Sequence, residues 1–159
     1  MRIGLGKDLH RLVKNRRFLI GGVEIPFKLG EAGHSDGDVL VHAIIDALLG
    51  AAAVGDIGEF FPPNDKKWEN ADSLELLRIV RTEIMSAGWE IINIDAVIEC
   101  EEPKILPYRL EICTSLANIL QISPKKIFIK GKTSEGLGYI GMKRAVSALV
   151  ICLLSRSGL

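Results

Sequence analysis

The sequence predicts an α+β sandwich, in which helices pack mainly on one face of a mixed β-sheet. Segments with strand-type alternation and segments with the 3-4 spacing of helices follow one another along the chain, without an internal repeat or linker. The last apolar run, 144–154, fits either strand or helix, and we assign a strand because this order of elements needs one more strand to cover its helices. A chain of 159 residues can bury a core without disulfides or metal staples, so we expect a single domain, 1–159.

The first predicted strand covers residues 3–10, and Gly4, Gly6, Asp8 and His10 share one of its faces. The α-carbons of Asp8 and His10 would lie about 6.6 Å apart, near enough for both side chains to reach one ion. A solvated strand face is the alternative interpretation. The glycines favour a site, because they remove side chains where another backbone or a ligand must come close.

A buried helix is predicted over 39–54, where only His42 and Asp46 are polar, and Asp38 is its candidate N-cap. Asp38, His42 and Asp46 stand four residues apart and so form one stripe. Burying them without partners would cost roughly 1–3 kcal/mol each. His42 is then either a structural histidine bonded to a neighbouring carboxylate, or a metal ligand whose second ring nitrogen is oriented by a carboxylate one turn away.

Local signals place the next elements. Residues 18–25 are typical of a hairpin around two glycines, and residues 55–65 form a turn-rich connection. A helix capped by Asp72 should stop at Gly88.

The second half of the chain continues the alternation, and a short strand is predicted over 127–132. A half-buried strand is expected to turn one set of alternate residues inward: Ile92, Ile94, Ala96, Ile98 and Cys100. A helix that starts at Pro107 is expected to bury Leu110, Cys113, Ala117 and Leu120.

Composition excludes several classes of partner. Twenty basic and 20 acidic residues cancel, without runs of like charge, so we expect neither nucleic-acid binding nor attachment to an acidic membrane. No apolar run reaches the ~18 residues that span a bilayer, and the N-terminus lacks a signal-type apolar region. The three cysteines lack a C-x-x-C spacing and are predicted to be buried free thiols in a reducing compartment, which is the cytoplasm.

Two polar clusters carry candidate chemistry. Asp8, His10 and His42 offer one carboxylate and two imidazoles, a set that suits zinc with a fourth position open to water or substrate. Residues 132–135 offer a cation, two hydroxyls and a carboxylate for a magnesium-type ion, and the glycines that follow let backbone N–H groups approach a phosphate. A tight surface turn is the alternative interpretation of 132–135.

Four motifs together resemble the 2-C-methyl-D-erythritol 2,4-cyclodiphosphate synthase family, in unbroken order over almost the whole chain. They are D-x-H at 8–10, HSDGDVLVHAIIDALLGAAAVGDIG at 34–58, EPK at 102–104 and KTSEGLG at 132–138. The resemblance implies a ferredoxin-like sandwich with a four-stranded mixed sheet, helices on one face and a small β-hairpin. It also implies a homotrimer whose active sites lie between adjacent subunits.

The implied activity is that of a lyase of the non-mevalonate isoprenoid pathway. Family members convert 4-diphosphocytidyl-2-C-methyl-D-erythritol 2-phosphate to 2-C-methyl-D-erythritol 2,4-cyclodiphosphate and release CMP. The substrate's own 2-phosphate attacks the β-phosphate, so catalysis rests on positioning and charge stabilisation. The implied location is the bacterial cytoplasm, or the plastid stroma if a transit peptide was removed.

The resemblance also assigns roles to residues. Asp8, His10 and His42 are the implied ligands of one Zn2+ per subunit. His34 and Thr133 match the transition-state stabilisers, and Glu135 matches the ligand of a second divalent cation, Mg2+ or Mn2+, that binds with the diphosphate.

Substrate contacts are implied in several segments. Near the metal they are Asp8, Leu9, His10 and His34. At the methylerythritol phosphate end they are Ser35, Asp56, Ile57, Gly58, Phe61, Pro62, Pro63, Asn64 and Asp65. At the cytidine diphosphate end they are Cys100, Glu101, Glu102, Pro103, Lys104, Ile105 and Leu106, with Lys132, Thr133, Ser134 and Glu135 of the neighbouring subunit. Tyr139 and Met142 complete the set.

The chain departs from the family pattern at a few positions. Pro63-Asn64 replaces an acidic contact, which Asp65 can take over, and Lys7 with Met142 replaces an aromatic residue and an arginine at the trimer-axis channel.

Two rival functions are those of a generic zinc phosphohydrolase and of an RNA-binding ferredoxin-like module. The RNA-binding module is disfavoured because it needs exposed strand aromatics, and Phe128 is the only aromatic that we expect on an interior strand.

Overall fold

The computed structural model describes residues 1–156. Within these residues, seven strands and five α-helices follow one another, with three short 3₁₀ turns. The strands are β1 (Arg2–Val13), β2 (Leu19–Ile20), β3 (Val23–Glu24), β4 (Gly30–Glu31), β5 (Trp89–Glu99), β6 (Ile127–Lys132) and β7 (Ala145–Arg156). The helices are α1 (Val39–Ala52), α2 (Ile57–Phe60), α3 (Ser73–Ser86), α4 (Arg109–Leu120) and α5 (Gly138–Gly141).

The predicted α+β sandwich is confirmed, with one correction to the sheet. The main sheet has five strands in the order β4-β1-β7-β5-β6, not four, and β2 pairs with β3 as the predicted hairpin. The fifth strand, β4, has two residues, which is too short for alternation to reveal. Among the strands of residues 1–156 only β5 and β6 run parallel, so the sheet is mixed.

The register of the sheet aligns both ends of the predicted site. Leu9 pairs with Ser147, and Ser147 pairs with Glu99. Glu99 in turn pairs with Lys132 on β6. Three steps between neighbouring strands, each about 4.8 Å, therefore separate Leu9 from Lys132 by about 14 Å.

Helix α1 packs directly on β1 because the strand has glycines where the two backbones meet. A Cβ atom on Gly4 would overlap the carbonyl oxygen of Ala47, and one on Gly6 would overlap that of Ala43. The predicted close approach is therefore confirmed, and the approaching group is helix backbone. This contact brings β1 and α1 together at the level of the candidate metal ligands.

The N-cap of α1 is Asp38, as predicted. Its side chain is fully buried and accepts hydrogen bonds from Val41 N at 3.1 Å and Gly22 N at 2.6 Å. Burial raises the pKa of Asp38 to about 6, although the backbone N–H groups oppose this shift. The same carboxylate therefore starts the helix and fixes the hairpin to it.

Tertiary packing changed two of the predicted faces. An irregularity in the pairing of β5 with β7 falls between Ile91 and Asn93, so Ile91 is buried and Ile92 is only half-buried. In the helical segment that follows Pro107, Leu110 is exposed although we expected it to be buried, and Ile112 is buried instead. That segment opens with a 3₁₀ turn and becomes α-helical at Arg109, two residues after the predicted start.

One face of the sheet is covered by helices, and the other leaves large apolar side chains exposed. These residues are Ile3, Leu5, Leu9, Phe128, Leu149 and Ile151. Phe128 lies on the edge strand β6, which corrects its predicted interior position, and the guanidinium of Arg109 lies 4.9 Å from its ring centre. Within residues 1–156 no helix has the length and apolar character needed to cross a membrane.

Candidate metal centre and flanking pockets

Asp8, His10 and His42 converge as predicted, two from β1 and one from α1. The Oδ2 atom of Asp8 lies 2.9 Å from His10 Nε2 and 3.1 Å from His42 Nδ1. The two imidazole nitrogens are 3.3 Å apart, and one ligand-type atom from each residue lies within 4.8 Å of the others. Three donors therefore face a single point, as a metal ion requires.

The far side of the His10 ring is fixed by two acceptors. Nδ1 lies 2.6 Å from the carbonyl oxygen of Gly37 and 3.2 Å from Oε2 of Glu31. A carbonyl oxygen can only accept, so the Nδ1 proton donates to Gly37. This tautomer leaves the Nε2 lone pair directed at the cluster whenever the ring is neutral.

The far side of the His42 ring meets hydroxyl groups. Nε2 lies 3.0 Å from Ser35 Oγ and 3.0 Å from Ser73 Oγ, and the Ser73 hydroxyl donates to Asp36. The prediction that Asp38 or Asp46 orients this nitrogen is wrong.

Both of those carboxylates serve the backbone instead. Asp38 caps α1, and Asp46 accepts from Ile57 N at 2.8 Å, which fixes the start of α2. Spacing along α1 could not reveal the role of Asp46, because the N–H group of Ile57 belongs to another element.

The ionisation of Asp8 and His10 indicates which kind of ligand the centre of the cluster favours. Burial disfavours the Asp8 carboxylate, but hydrogen bonds from His10 and His42 outweigh that effect and lower its pKa far below the ordinary value. Burial likewise disfavours a charged His10, yet hydrogen bonds to Asp8 and Glu31 raise its pKa to about 10. The cluster therefore favours a positive charge between its donors, and a divalent cation satisfies both imidazoles and the carboxylate at once.

A pocket of about 380 Å³ opens beside the cluster, and His10 and His42 form part of its wall. Predicted substrate residues on the wall are His34, Ser35, Ile57, Gly58, Phe61, Pro63 and Asp65. Asp56, Pro62 and Asn64 are not on it, and the Asp56 carboxylate caps α2 by accepting from Glu59 N at 2.9 Å.

A second pocket, of about 240 Å³, lies at the β6 side of the sheet. Its wall includes Cys100, Glu101, Pro103, Lys104, Ile105, Leu106, Lys132 and Thr133. Ser134 N donates to Glu101 Oε2 at 3.1 Å, and the Thr133 hydroxyl donates to Glu135 Oε1 at 2.6 Å. The predicted 100–106 and 132–135 segments therefore meet within one chain.

The surroundings of two residues near this second pocket shift their pKa values. Glu102 forms an ion pair with Lys143 at 2.8 Å, which lowers the pKa of this exposed carboxylate. Cys100 is a buried free thiol, as predicted, and burial raises its pKa to about 12.

Tyr139 and Leu9 contribute to a third pocket, of about 590 Å³, together with Arg11 and Arg144. Met142 is exposed nearby in sequence. Within one chain the structure does not bring Tyr139 or Met142 into the wall of the pocket beside the metal ligands.

Sequence reasoning missed several residues of this region. Glu31, Gly37 and Ser73 contact the rings of the candidate ligands, and Trp68 lines the first pocket. Ser73 follows the Asp72 cap and Glu31 is a single acid in a connection, so no periodic pattern marks either one. Only Gly37 gave a signal, since it lies inside the HSDGD motif.

Comparison with known proteins places this architecture in a family. Residues 1–155 match the model of the YgbB family. A 2-C-methyl-D-erythritol 2,4-cyclodiphosphate synthase from Treponema denticola is 63% identical over 154 residues, which cover 97% of this chain and 96% of the relative.

Solved structures agree with that match. A CDP-bound 2C-methyl-D-erythritol-2,4-cyclodiphosphate synthase superposes with a TM-score of 0.89 at 36% identity, covering 97% of this chain and 100% of the other. The CDP complex of IspF from Plasmodium falciparum gives 0.87 at 35% identity, covering 99% and 97%.

Fold, site and relatives together define the class of protein: an α+β lyase of isoprenoid biosynthesis with a candidate metal centre. The chain belongs to the YgbB family and is an enzyme of the 2-C-methyl-D-erythritol 2,4-cyclodiphosphate synthase type.

Proposed function

We propose that this enzyme converts 4-diphosphocytidyl-2-C-methyl-D-erythritol 2-phosphate to 2-C-methyl-D-erythritol 2,4-cyclodiphosphate and CMP. An oxygen of the 2-phosphate forms a bond to the β-phosphorus. The bond from that phosphorus to the oxygen bridging the α-phosphate breaks, and CMP leaves with the bridging oxygen. The observation that carries this proposal is the cluster of Asp8, His10 and His42, whose two histidines line the 380 Å³ pocket.

We propose zinc as the ion of this cluster, one per subunit, because two imidazoles and a carboxylate are a common catalytic zinc set. When bound, zinc would supply a Lewis acid that polarises the β-phosphate. The residues themselves fix its place: Gly37 and Glu31 hold the His10 ring, and two serine hydroxyls hold that of His42.

The remaining proposed roles belong to groups that bind or stabilise phosphate. His34 is exposed on the wall of the first pocket, where it can donate to the reacting phosphates. The Thr133 hydroxyl, which here donates to Glu135 Oε1, can turn to donate a hydrogen bond to developing negative charge. Glu135, exposed on the same turn, would hold Mg2+ or Mn2+, which would neutralise charge on the diphosphate.

We propose that complete sites form between the subunits of a homotrimer. In one chain, the strand segment that carries Asp8 and His10 lies three strand spacings, about 14 Å, from Lys132 across the sheet. One chain therefore holds the two halves of a site apart from each other. The exposed apolar face of the sheet supplies a surface that association would cover. CDP in the complexes of relatives supports a cytidine diphosphate end for the substrate.

The implied location of this activity is the cytoplasm. Three buried, unpaired cysteines suit a reducing compartment.

The test is product analysis with the purified protein and the diphosphocytidyl substrate. We expect CMP and a cyclic diphosphate, identified by nucleotide chromatography and ³¹P NMR, and we expect a chelator to abolish turnover until zinc returns. Release of inorganic phosphate without a cyclic product would instead indicate a zinc phosphohydrolase and overturn the proposal.

A further inference from the structure

Glu31 is a buried carboxyl group that takes no direct part in the proposed reaction. Its side chain is fully buried in β4. Oε2 lies 2.9 Å from Val39 N and 3.2 Å from His10 Nδ1, whereas Oε1 has no hydrogen-bond partner among the described residues. Burying a carboxyl group with one oxygen unsatisfied is costly, so a compensating role is expected.

The position of Glu31 links the two elements that carry the candidate ligands. Val39 is the first residue of α1, and His42 lies one turn further along that helix. His10 belongs to β1. One carboxylate oxygen therefore contacts both the ring of one ligand and the start of the helix that carries another.

The surroundings of Glu31 hold it in place. Arg16 Nε donates to its carbonyl oxygen at 3.1 Å. Gly37, whose φ is +88°, packs against it so closely that a Cβ there would lie 2.7 Å from the Glu31 carbonyl oxygen and 3.1 Å from its Cβ. Since Gly37 supplies the other acceptor of the His10 proton, Glu31 supports that contact as well.

We propose that Glu31 is a positioning residue for the metal centre. It shares the hydrogen bond from His10 Nδ1 with the carbonyl oxygen of Gly37, keeps Nε2 directed toward the ion, and sets the distance from β1 to α1 through Val39. Partners of this kind behind a ligand typically change metal affinity by about 10–100-fold. This inference rests on the proposed metal site.

Three substitutions separate this role from that of a simple helix cap. Glu31→Leu removes the acceptor at similar volume. Glu31→Asp keeps a carboxylate but shortens it, so that it cannot reach both partners. Glu31→Gln keeps an oxygen for the Oε2 position and places its amide where Oε1 has no partner. Ile129→Val, in the buried part of β6, is a matched control for lost stability far from the centre.

The experiment measures Co2+ and Zn2+ affinity by chelator competition, the visible absorption of bound Co2+, and thermal unfolding. We expect the Leu and Asp variants to bind about 10–100-fold more weakly with altered Co2+ spectra. We expect Gln to stay within about threefold of wild type. The Ile129→Val control should lower only the unfolding temperature.

Two results would overturn the inference. If the Asp variant, and the Leu variant where it folds, binds Co2+ with wild-type affinity and spectrum, Glu31 is only a cap for α1. If the wild-type protein binds neither metal, the proposed metal site fails and this inference fails with it.

Discussion

Asp8 and His10 are oppositely charged in the metal-free protein because each stabilises the ionised form of the other. Their side chains are 2.9 Å apart and largely shielded from water. Placing an ion there replaces a proton, so metal binding should depend on pH. A proton and a metal cation therefore compete for the same donor atoms.

The metal-free protein should lose stability as the pH rises. His10 has a pKa of about 10 when folded against 6.5 unfolded, so its contribution is complete below pH 6.5 and is lost as the pH approaches 10. Burial raises the pKa of Glu31 from 4.5 to about 8, so the contribution of Glu31 to the free energy of unfolding also falls as the pH rises between those values. With a chelator present, the free energy of unfolding measured in urea should fall as the pH rises from 4.5 to 10. His10→Gln should make this pH dependence weaker. A flat wild-type curve would contradict these charge states.

Substitutions at His42 and Thr133 should separate metal binding from charge stabilisation. His42→Ala should lose zinc and turnover but remain folded, since the apolar faces of α1 are intact. Zinc content near one per chain in this variant would exclude His42 as a ligand.

Thr133→Ala should retain zinc and lose turnover by about 10²–10³-fold, as expected for a donor to developing charge. The measurements are metal analysis and steady-state kinetics. A change confined to KM would show that Thr133 only binds substrate.

Among the elements, those with strong periodicity were predictable and those set by tertiary contacts were not. Alternation located β1, the need for one more strand to cover the helices assigned β7, and cap residues located the starts of α1 and α3. The two-residue strand β4 and the irregularity in β5 leave no periodic trace. Strand spacing put Asp8 and His10 on one face, and helix spacing put His42 on a polar stripe, so these three were candidates for one site. Their outer partners Glu31 and Ser73 come from separate elements and gave no such pattern.

Gly6→Ala should damage both fold and site, because the new methyl group meets the backbone of α1. We expect about 3 kcal/mol of lost stability, from overpacking, together with weaker metal binding as β1 and α1 separate. Gly50→Ala is the matched control in α1, since nothing lies within 4 Å of its Cβ position, and it should stabilise by about 0.5–1 kcal/mol. Denaturant titration and zinc analysis of both variants provide the check. Equal stability of the two would contradict the close contact.

Within one chain, the two parts of the proposed active site are separated across the sheet. One chain carries the proposed metal ligands on β1 and α1 and the Thr133 turn after β6, at the same level of one sheet. These parts stay apart unless a second chain brings its own turn to the cluster. Assembly is thus a requirement for catalysis in the proposed scheme.

Mixing two inactive variants should therefore restore activity. When His42→Ala and Thr133→Ala proteins are refolded together, some interfaces will combine an intact cluster from one chain with an intact turn from the other. Native mass spectrometry should show mixed trimers, and CMP release should reappear. If mixed trimers form and stay inactive, both residues act within the same chain.

The contact of Gly4 and Gly6 with α1 limits how the chain can evolve. Overlaps between side chains can be relieved by a second, compensating substitution, but here the obstructing atoms include the helix carbonyl groups of Ala43 and Ala47. No exchange of side chains on α1 removes a carbonyl group. These two positions should therefore accept only glycine as long as the helix keeps its place, and any lineage that changes them must move the entire helix.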